Sequence, residues 1–405
     1  MNSDRRRGAR PVLLILLLCI ALTACSVRRE AQALSPPAFV PPPPAQACAS
    51  PALEPVSWDF IPILEDDLDL PSLKLAIERS QAYYGRTGIG PVRIGAESRS
   101  PADMGEALRE LLSILEGSGS PEEKRGRIAE RFDLYRAAGS DGRGAVLFTG
   151  YYVPMMEGSL EPTERFRYPV YGVPPESRAA ASAAGKNGSR KAFPLWSRKE
   201  IDGDGVLKGR GLEIAWVDDP TELFFLHIQG SGRIRLPDGA IVTVGYAGSN
   251  GRPFRSIAPY MAEQGIMPTG SLSYWSIREY LNSHPEERQG VLNWNERYIF
   301  FRILEGEPVG SLGVPVTAGR SIAVDPGCFP SGAAAFIRAR KPVADETGKT
   351  RWTPFSRFVL AQDAGAAIKG PGRLDLFCGA GYEAERKAGS LKEKGELYFL
   401  FPRPR

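Results

Sequence analysis

Apolar residues recur at helical spacing near the start of the foldable region. Leu73, Ile77 and Tyr84 share one face of a predicted helix, and Leu108, Leu111, Leu112 and Leu115 share one face of a second. Ser120-Pro121-Glu122-Glu123 has the form of a capping box with proline at the first helical position. It predicts a third helix whose apolar face would use Ile128, Phe132 and Tyr135. From Gly144 the texture changes. Residues 145–152 read as a strand, and residues 223–228 and 240–246 read as strands flanking the turn Pro237-Asp238-Gly239. A short helix is predicted over 273–281, ending around 282–285. Residues 314–316, 321–324, 357–361, 374–377 and 397–401 form a second strand-rich stretch, and the small residues of 177–189 form a mobile loop. No internal repeat is visible.

The N-terminus has a different pattern. Arg5, Arg6, Arg7 and Arg10 precede an apolar run over 12–20, followed by Leu22-Thr23-Ala24-Cys25. A positive start and an apolar stretch too short to span a bilayer comfortably predict a bacterial export signal; an uncleaved signal anchor is the alternative. The ending resembles the lipobox of bacterial lipoproteins. That resemblance implies cleavage before Cys25 and lipidation of Cys25, with several acyl chains for firm anchoring. Ser26 matches the sorting pattern for the outer membrane, so the expected location is lipid-anchored there, facing the periplasm. Residues 35–44 are rich in proline and read as a semi-rigid tether. Folded sequence is expected from about Pro55.

A chain of 405 residues predicts two domains. Its 44 glycines and 35 prolines suit short strands joined by tight turns, which favours a mainly β architecture with some helices. The net charge of +4 is spread in mixed sign, which argues against nucleic acid as a partner and is compatible with an acidic polymer. Cys19 leaves with the signal and Cys25 carries lipid, so Cys48, Cys328 and Cys378 remain. No Cys-x-x-Cys pair suggests a zinc ribbon. Cys328 and Cys378 each stand three residues after an aspartate; a bridge between them and buried free thiols are both open.

Candidate chemistry follows by elimination. Two histidines, His227 and His284, are too few for a histidine-built metal site. His227 falls in an apolar strand and reads as a core or barrel-lining residue, and His284 as a surface turn. No Gly-x-Ser-x-Gly elbow and no phosphate-binding loop is present. What remains is carboxylate chemistry at Asp325, Asp363 and Asp375, each closing or interrupting a short apolar strand. In Leu374-Asp375-Leu376 the leucines point to one face and the aspartate to the other. Aspartates that simply accept backbone N–H groups at strand ends are the alternative.

Several segments then occur together in order: 148–152, Gln229-Gly230-Ser231-Gly232, 246–251, Phe254-Arg255-Ser256-Ile257, and the C-terminal three-aspartate module. In this arrangement the chain resembles the membrane-bound lytic murein transglycosylase A family, from about Phe148 to the C-terminus. The resemblance implies a double-psi β-barrel of barwin-like type, with an inserted second β-rich domain and a groove between them for the glycan strand. Mapped here, the signal covers 1–25, the tether 26–54, the barrel domain 55–153 with 309–405, and the insert 154–308. One departure is that Ala366 stands where the family loop has a second glycine, which is strained if that position needs a positive φ.

The implied activity is non-hydrolytic cleavage of the β-1,4 bond between N-acetylmuramic acid and N-acetylglucosamine in peptidoglycan, giving 1,6-anhydromuramoyl products. Asp375 corresponds to the family's catalytic aspartate, acting as acid and then base, with Asp363 and Asp325 in support. Thr149, Tyr151, Gln229, Ser231, Arg255 and Lys369 are the candidate substrate-binding residues, and Tyr151, Tyr152 and the tryptophans could stack on sugars. No cofactor or metal is implied. The expected form is a monomer working near wall-synthesis and division enzymes. A muramidase on the same scaffold and a non-catalytic peptidoglycan-binding lipoprotein are the alternatives.

Overall fold

The structure is a computed structural model and describes residues 48, 52–61, 64–95, 97–176, 196–344 and 350–404. The export signal, Cys25, the tether of 35–44 and the loop of 177–189 lie outside the described residues. Up to residue 137 the elements are β1 (Leu53–Val56), α1 (Leu70–Tyr84), β2 (Val92–Ile94), β3 (Glu97–Arg99), α2 (Pro101–Glu116), α3 (Pro121–Arg131) and β4 (Phe132–Ala137). Next come β5 (Val146–Val153), β6 (Met155–Ser159), β7 (Tyr168–Tyr171), β8 (Glu213–Val217) and α4 (Pro220–Gln229). They are followed by β9 (Ser231–Arg235), β10 (Ile241–Ser249), α5 (Ile257–Glu263), α6 (Tyr274–Ser283), α7 (Pro285–Asn293) and β11 (Ile299–Leu304). The C-terminal part holds β12 (Ser321–Ala323), β13 (Ala334–Ala344), β14 (Thr350–Asp363), β15 (Arg373–Ala380), α8 (Tyr382–Ser390) and β16 (Lys392–Pro402).

The larger sheet closes on itself. Its order is β1-β4-β16-β13-β14-β12-β15-β5, and β16 also pairs with β5. The strands β16, β13, β14, β12, β15 and β5 therefore form a closed six-stranded barrel, which removes free sheet edges. Its β12–β14 and β15–β5 pairings are parallel, and the rest are antiparallel. This mixed ring fits a double-psi barrel. A second sheet, β11-β10-β9-β6-β8-β7, is drawn from residues 155–304, between two barrel strands in the chain. Its core joins Val170, Val217, Leu226, Ile234, Val244 and Phe301. Among the described residues, no helix is long and apolar enough to cross a membrane.

Local sequence explains most element ends. Ser120 Oγ accepts from Glu123 N, and the Glu123 carboxylate accepts from Ser120 N at 2.8 Å, so the predicted capping box starts α3. That helix stops at Arg131. Phe132 and Tyr135, expected on its apolar face, belong to β4, where β-pairing with β16 takes over. The strand expected over 223–228 is the helix α4, and His227 sits in it. Asp219 caps its start, Pro220 opens it, and Gly230 with φ 76° ends it. Its continuous apolar run was misread because the helix is buried on most sides, which hides the helical period. The strands around the turn at 237–239 are β9 and β10. Residues 314–316 hold only a single bridge, Val309 to Pro315.

The cysteines also depart from the bridge considered above. Cys328 is bonded to Cys48, across 280 residues, and Cys378 is the free thiol. The bridge ties the N-terminal end of the described chain to the turn that follows β12. Shared spacing after an aspartate carried no information about pairing.

An ionic cluster joins α4 and α6 to the barrel's α8. Arg278 Nε lies 2.5 Å from Glu222, and Arg278 Nη1 lies 2.8 Å from Glu385. Burial pushes the Glu222 carboxyl up to about 7 from an ordinary 4.5, against the pull of Arg278. An acid whose folded value exceeds its unfolded value holds its proton more tightly in the fold. This group therefore lowers stability as pH rises from about 4.5 to about 7. Glu222→Gln is expected to raise stability above pH 7 by an order of 1–2 kcal/mol and to do little at pH 4, as read by unfolding curves at both pH values. An equal effect at both would count against this account.

Candidate active site

Four neighbouring barrel strands bring the key side chains into one row. Asp375 of β15 is the register partner of Thr149 on β5 and of Ala323 on β12. Ala323 is in turn the partner of Asp363 at the end of β14. Two strand spacings thus separate Asp375 from Asp363, about 9.6 Å between backbones. Alternation along β15 buries Leu374 and Leu376, while the Asp375 side chain keeps 19% of its surface exposed. The predicted division of faces in this strand is what the fold uses.

Asp375 accepts a short hydrogen bond from the Thr149 hydroxyl. Arg373, two residues earlier on the same strand, places Nη2 at 3.8 Å from its carboxylate. Burial raises the Asp375 carboxyl above the usual range; the Thr149 hydroxyl and Arg373 pull it back, and the charge of Asp363 adds to the rise. The net direction is upward, towards a group that can hold a proton. Thr149 donates to the ionised form, so Thr149→Val lets Asp375 hold its proton to higher pH. The high-pH limb of kcat, where an acid catalyst loses its proton, is expected to move to higher pH in that variant. A limb that stays in place in a pH–rate profile would contradict this role.

Asp363 is held differently. Oδ1 accepts from the backbone N–H groups of Ser311 and Ala364, each at 2.8 Å, and Oδ2 accepts from the Tyr151 hydroxyl at 2.8 Å. Burial raises this carboxyl too, while those donors oppose the rise. Tyr151 is itself pushed well above its ordinary value, by burial first and then by Asp363, so it stays a donor. Beside it, buried Gln362 donates to Ala76 O and Ser80 Oγ and accepts from Ser321 Oγ, which fixes the end of β14 against α1. Asp325 accepts from Gly327 N at 3.0 Å and Gly370 N at 2.8 Å. It pins the loop between β14 and β15 to the turn after β12. Gly370 has φ 77°, and a Cβ on Gly365 would come within 2.8 Å of Ile368, so both glycines are needed; Ala366 is exposed.

The other sequence-predicted residues scatter around this row. Gln229, at the end of α4, accepts from Tyr152 N at 3.2 Å and so ties α4 to the barrel strand β5. Ser231 opens β9 directly after the left-handed Gly230. Arg255 is exposed, with its backbone N–H bonded to Asn295 and its guanidinium 5.5 Å from the Trp294 ring, which stacks on Tyr260. Lys369 is exposed on the loop between β14 and β15. Tyr151 and Tyr152 pack against Phe377 and Tyr274, as ordinary core rings do. His227 is buried, with Nδ1 2.9 Å from Arg198. Sequence reading missed Arg373, although β-alternation already puts residue 373 on the face of residue 375. Among the described residues, no group of three His, Cys, Asp or Glu side chains could hold a metal ion.

Residues 147–302 match the family described as the MltA specific insert domain, and residues 320–401 match the 3D domain. The chain is 31% identical over 275 residues to the membrane-bound lytic murein transglycosylase A of Escherichia coli, covering 67% of this chain and 70% of that protein. To the Vibrio cholerae protein of the same name it is 28% identical over 325 residues, covering 75% and 83%. Among solved structures it is similar to the membrane-bound lytic murein transglycosylase from Agrobacterium tumefaciens, with 32% identity and a TM-score of 0.67, covering 87% of this chain and 98% of that one. In fold alone it is also similar to Escherichia coli MltA with bound chitohexaose, at 24% identity and a TM-score of 0.69, covering 89% and 96%.

Proposed function

Since the chain belongs to the membrane-bound lytic murein transglycosylase A family, we propose that it cuts peptidoglycan glycan strands without water, using Asp375 as both acid and base. Protonated Asp375 gives its proton to the oxygen joining C1 of N-acetylmuramic acid to C4 of N-acetylglucosamine. The C1–O bond breaks, and positive charge develops on the muramic ring. The Asp375 carboxylate then takes the proton of that ring's C6 hydroxyl, and O6 closes on C1 to give the 1,6-anhydro product. Proximity of O6 replaces the activation of water.

The observation that carries this reading is the unequal state of the two carboxyls. Burial raises both, but Asp375 accepts one side-chain hydrogen bond, whereas Asp363 is committed to three donors. Hydrolytic glycosidases use a second carboxylate as base or nucleophile. Asp363 is a positioning group for Tyr151 and the β14 end, and Asp325 does the same for the loop before β15.

Two further assignments belong to the same reading. The barrel domain comprises 55–153 with 309–405, extended at its start by Leu53 and Glu54 of β1, the insert comprises 154–308, and the glycan lies between them. The chain is anchored through lipid on Cys25 to the outer membrane, facing the periplasm. The Cys48–Cys328 bridge supports an oxidising compartment.

The test is to digest purified sacculi with the full-length protein in detergent and weigh the released muropeptides. Products one water lighter than hydrolysis products are expected. Reducing ends would reassign the chain to the muramidases, and binding with no products would leave a wall-binding lipoprotein.

A further inference from the structure

We propose that Arg373 is the receptor for a carboxylate carried by the glycan substrate, next to the acid that cuts it; this rests on the transglycosylase reading above. Arg373 opens β15 on the same face as Asp375. Among the described residues its guanidinium makes only long contacts, 3.5 Å to Thr149 Oγ1 and 3.8 Å to Asp375 Oδ1. Charge-assisted pairs normally close to about 2.7–2.9 Å. Its Nε is buried and has no hydrogen-bond partner among the described residues, while 36% of the side chain is exposed.

Other barrel arginines show what a structural guanidinium looks like here. Arg320 is fully buried, with partners at 2.6–3.0 Å. Arg357 holds Asp67 with two bonds of 2.7 Å. Arg373 instead has donors to spare, at the acid and open to solvent. Five planar N–H donors suit a carboxylate.

The chemistry of the strand supplies one. Muramic sugars carry an O3-lactyl group, which is a carboxylate when bare and the attachment point of a carboxylate-bearing peptide when substituted. A neutral chitin-type strand has neither. An anion on Arg373 would also offset the cation that discourages Asp375 from holding its proton, so the correct substrate would help prepare the acid. Lys369 and Arg255, the cations chosen from sequence, have no contact with Asp375 among the interactions described above.

The experiment compares kcat and KM of the full-length protein in detergent on three strand preparations: with stem peptides, with peptides removed to free the lactyl carboxylates, and with those carboxylates converted to methylamides. All new chain ends are counted, anhydro and reducing. The parent is expected to lose roughly ten- to a hundredfold in kcat/KM on amidated strands. Arg373→Met should bring the ratio between charged and amidated strands close to one, and Arg373→Lys should restore part of it. A preference for bare over amidated strands identifies the lactyl carboxylate, and a preference for stem-bearing strands over both identifies the peptide. A parent that treats all three alike overturns the proposal, as does an Arg373→Met variant that keeps the preference. Reducing ends in place of anhydro ends overturn the lytic reading alone, because the charge ratio is read from either product.

Discussion

Asp375→Asn is expected to lower kcat on sacculi by about 10²–10⁴-fold, the usual range for a positioned acid or base, and to fall at the upper end because the proposed mechanism gives one group both proton transfers. Asparagine keeps the shape of the side chain and can still accept from Thr149. What it loses is the proton it would give and the charge it would use to take one back. Stability should not suffer. The aspartate's carboxyl is raised by burial, so its ionised form is a cost to the fold at neutral pH, and the amide removes that cost. Binding to sacculi should persist, since Asp375 is one short side chain in a row of four strand positions. Asp363→Asn should act through geometry instead: burial raises that carboxyl too, so the amide relieves the same cost, but it replaces one acceptor oxygen among those held by Tyr151, Ser311 and Ala364, and activity should fall through the displaced Tyr151. An Asp375→Asn protein within tenfold of the parent in kcat would sink the single-acid mechanism.

The unequal hydrogen bonding of the two aspartates was only partly legible in the sequence. Alternation in Leu374-Asp375-Leu376 gave the correct face, and five segments in order, the three-aspartate module among them, gave the family. Which carboxyl is free depends on hydrogen bonds across 52 and 212 residues, from Ser311 and Tyr151, and no local pattern encodes those. The same alternation places residue 373 on the face of residue 375, so the nearby cation was legible as well. The cap that starts α3 and the one-sided apolar face of α2 were readable. The helix α4 was not, because it is packed from several sides and its apolar run has no visible period. Strand β13 was missed since its eleven residues, at 334–344, mix alanine, arginine and lysine with few large apolar residues; its pairing partners β14 and β16 make it a strand. Barrel closure through β16 and β5 lies beyond any single-segment signal.

Asp66→Ala should destabilise the protein by about 3–5 kcal/mol, the cost of breaking a buried ion pair by removing one partner. Arg320 immediately precedes β12 and is 0% exposed. Its guanidinium bonds Asp66 Oδ2 at 2.6 Å, the carbonyls of Phe358 and Asp69 at 2.8 Å each, and Ser72 Oγ at 3.0 Å. Asp66 also accepts from Leu68 N and Phe358 N, so it clamps the entry to α1 against β14. Asp69 cannot take over, because its carboxylate already caps α1 through Ser72 N at 2.8 Å. Domains of this kind are stable by about 5–15 kcal/mol, so the loss is large and visible as a lower midpoint in urea unfolding. The clamp also bears on function, since β12 carries Ala323, the position between Asp363 and Asp375. Activity near the unfolding range should therefore fail before the bulk signal does. The pair Asp66→Ala with Arg320→Met removes both charges and should cost less than the sum of the single changes, with a coupling of about 1–3 kcal/mol. A single-variant loss below about 1 kcal/mol would mean that water reaches Arg320, and that Gln362 and the apolar face of α1 hold it to the barrel without the clamp.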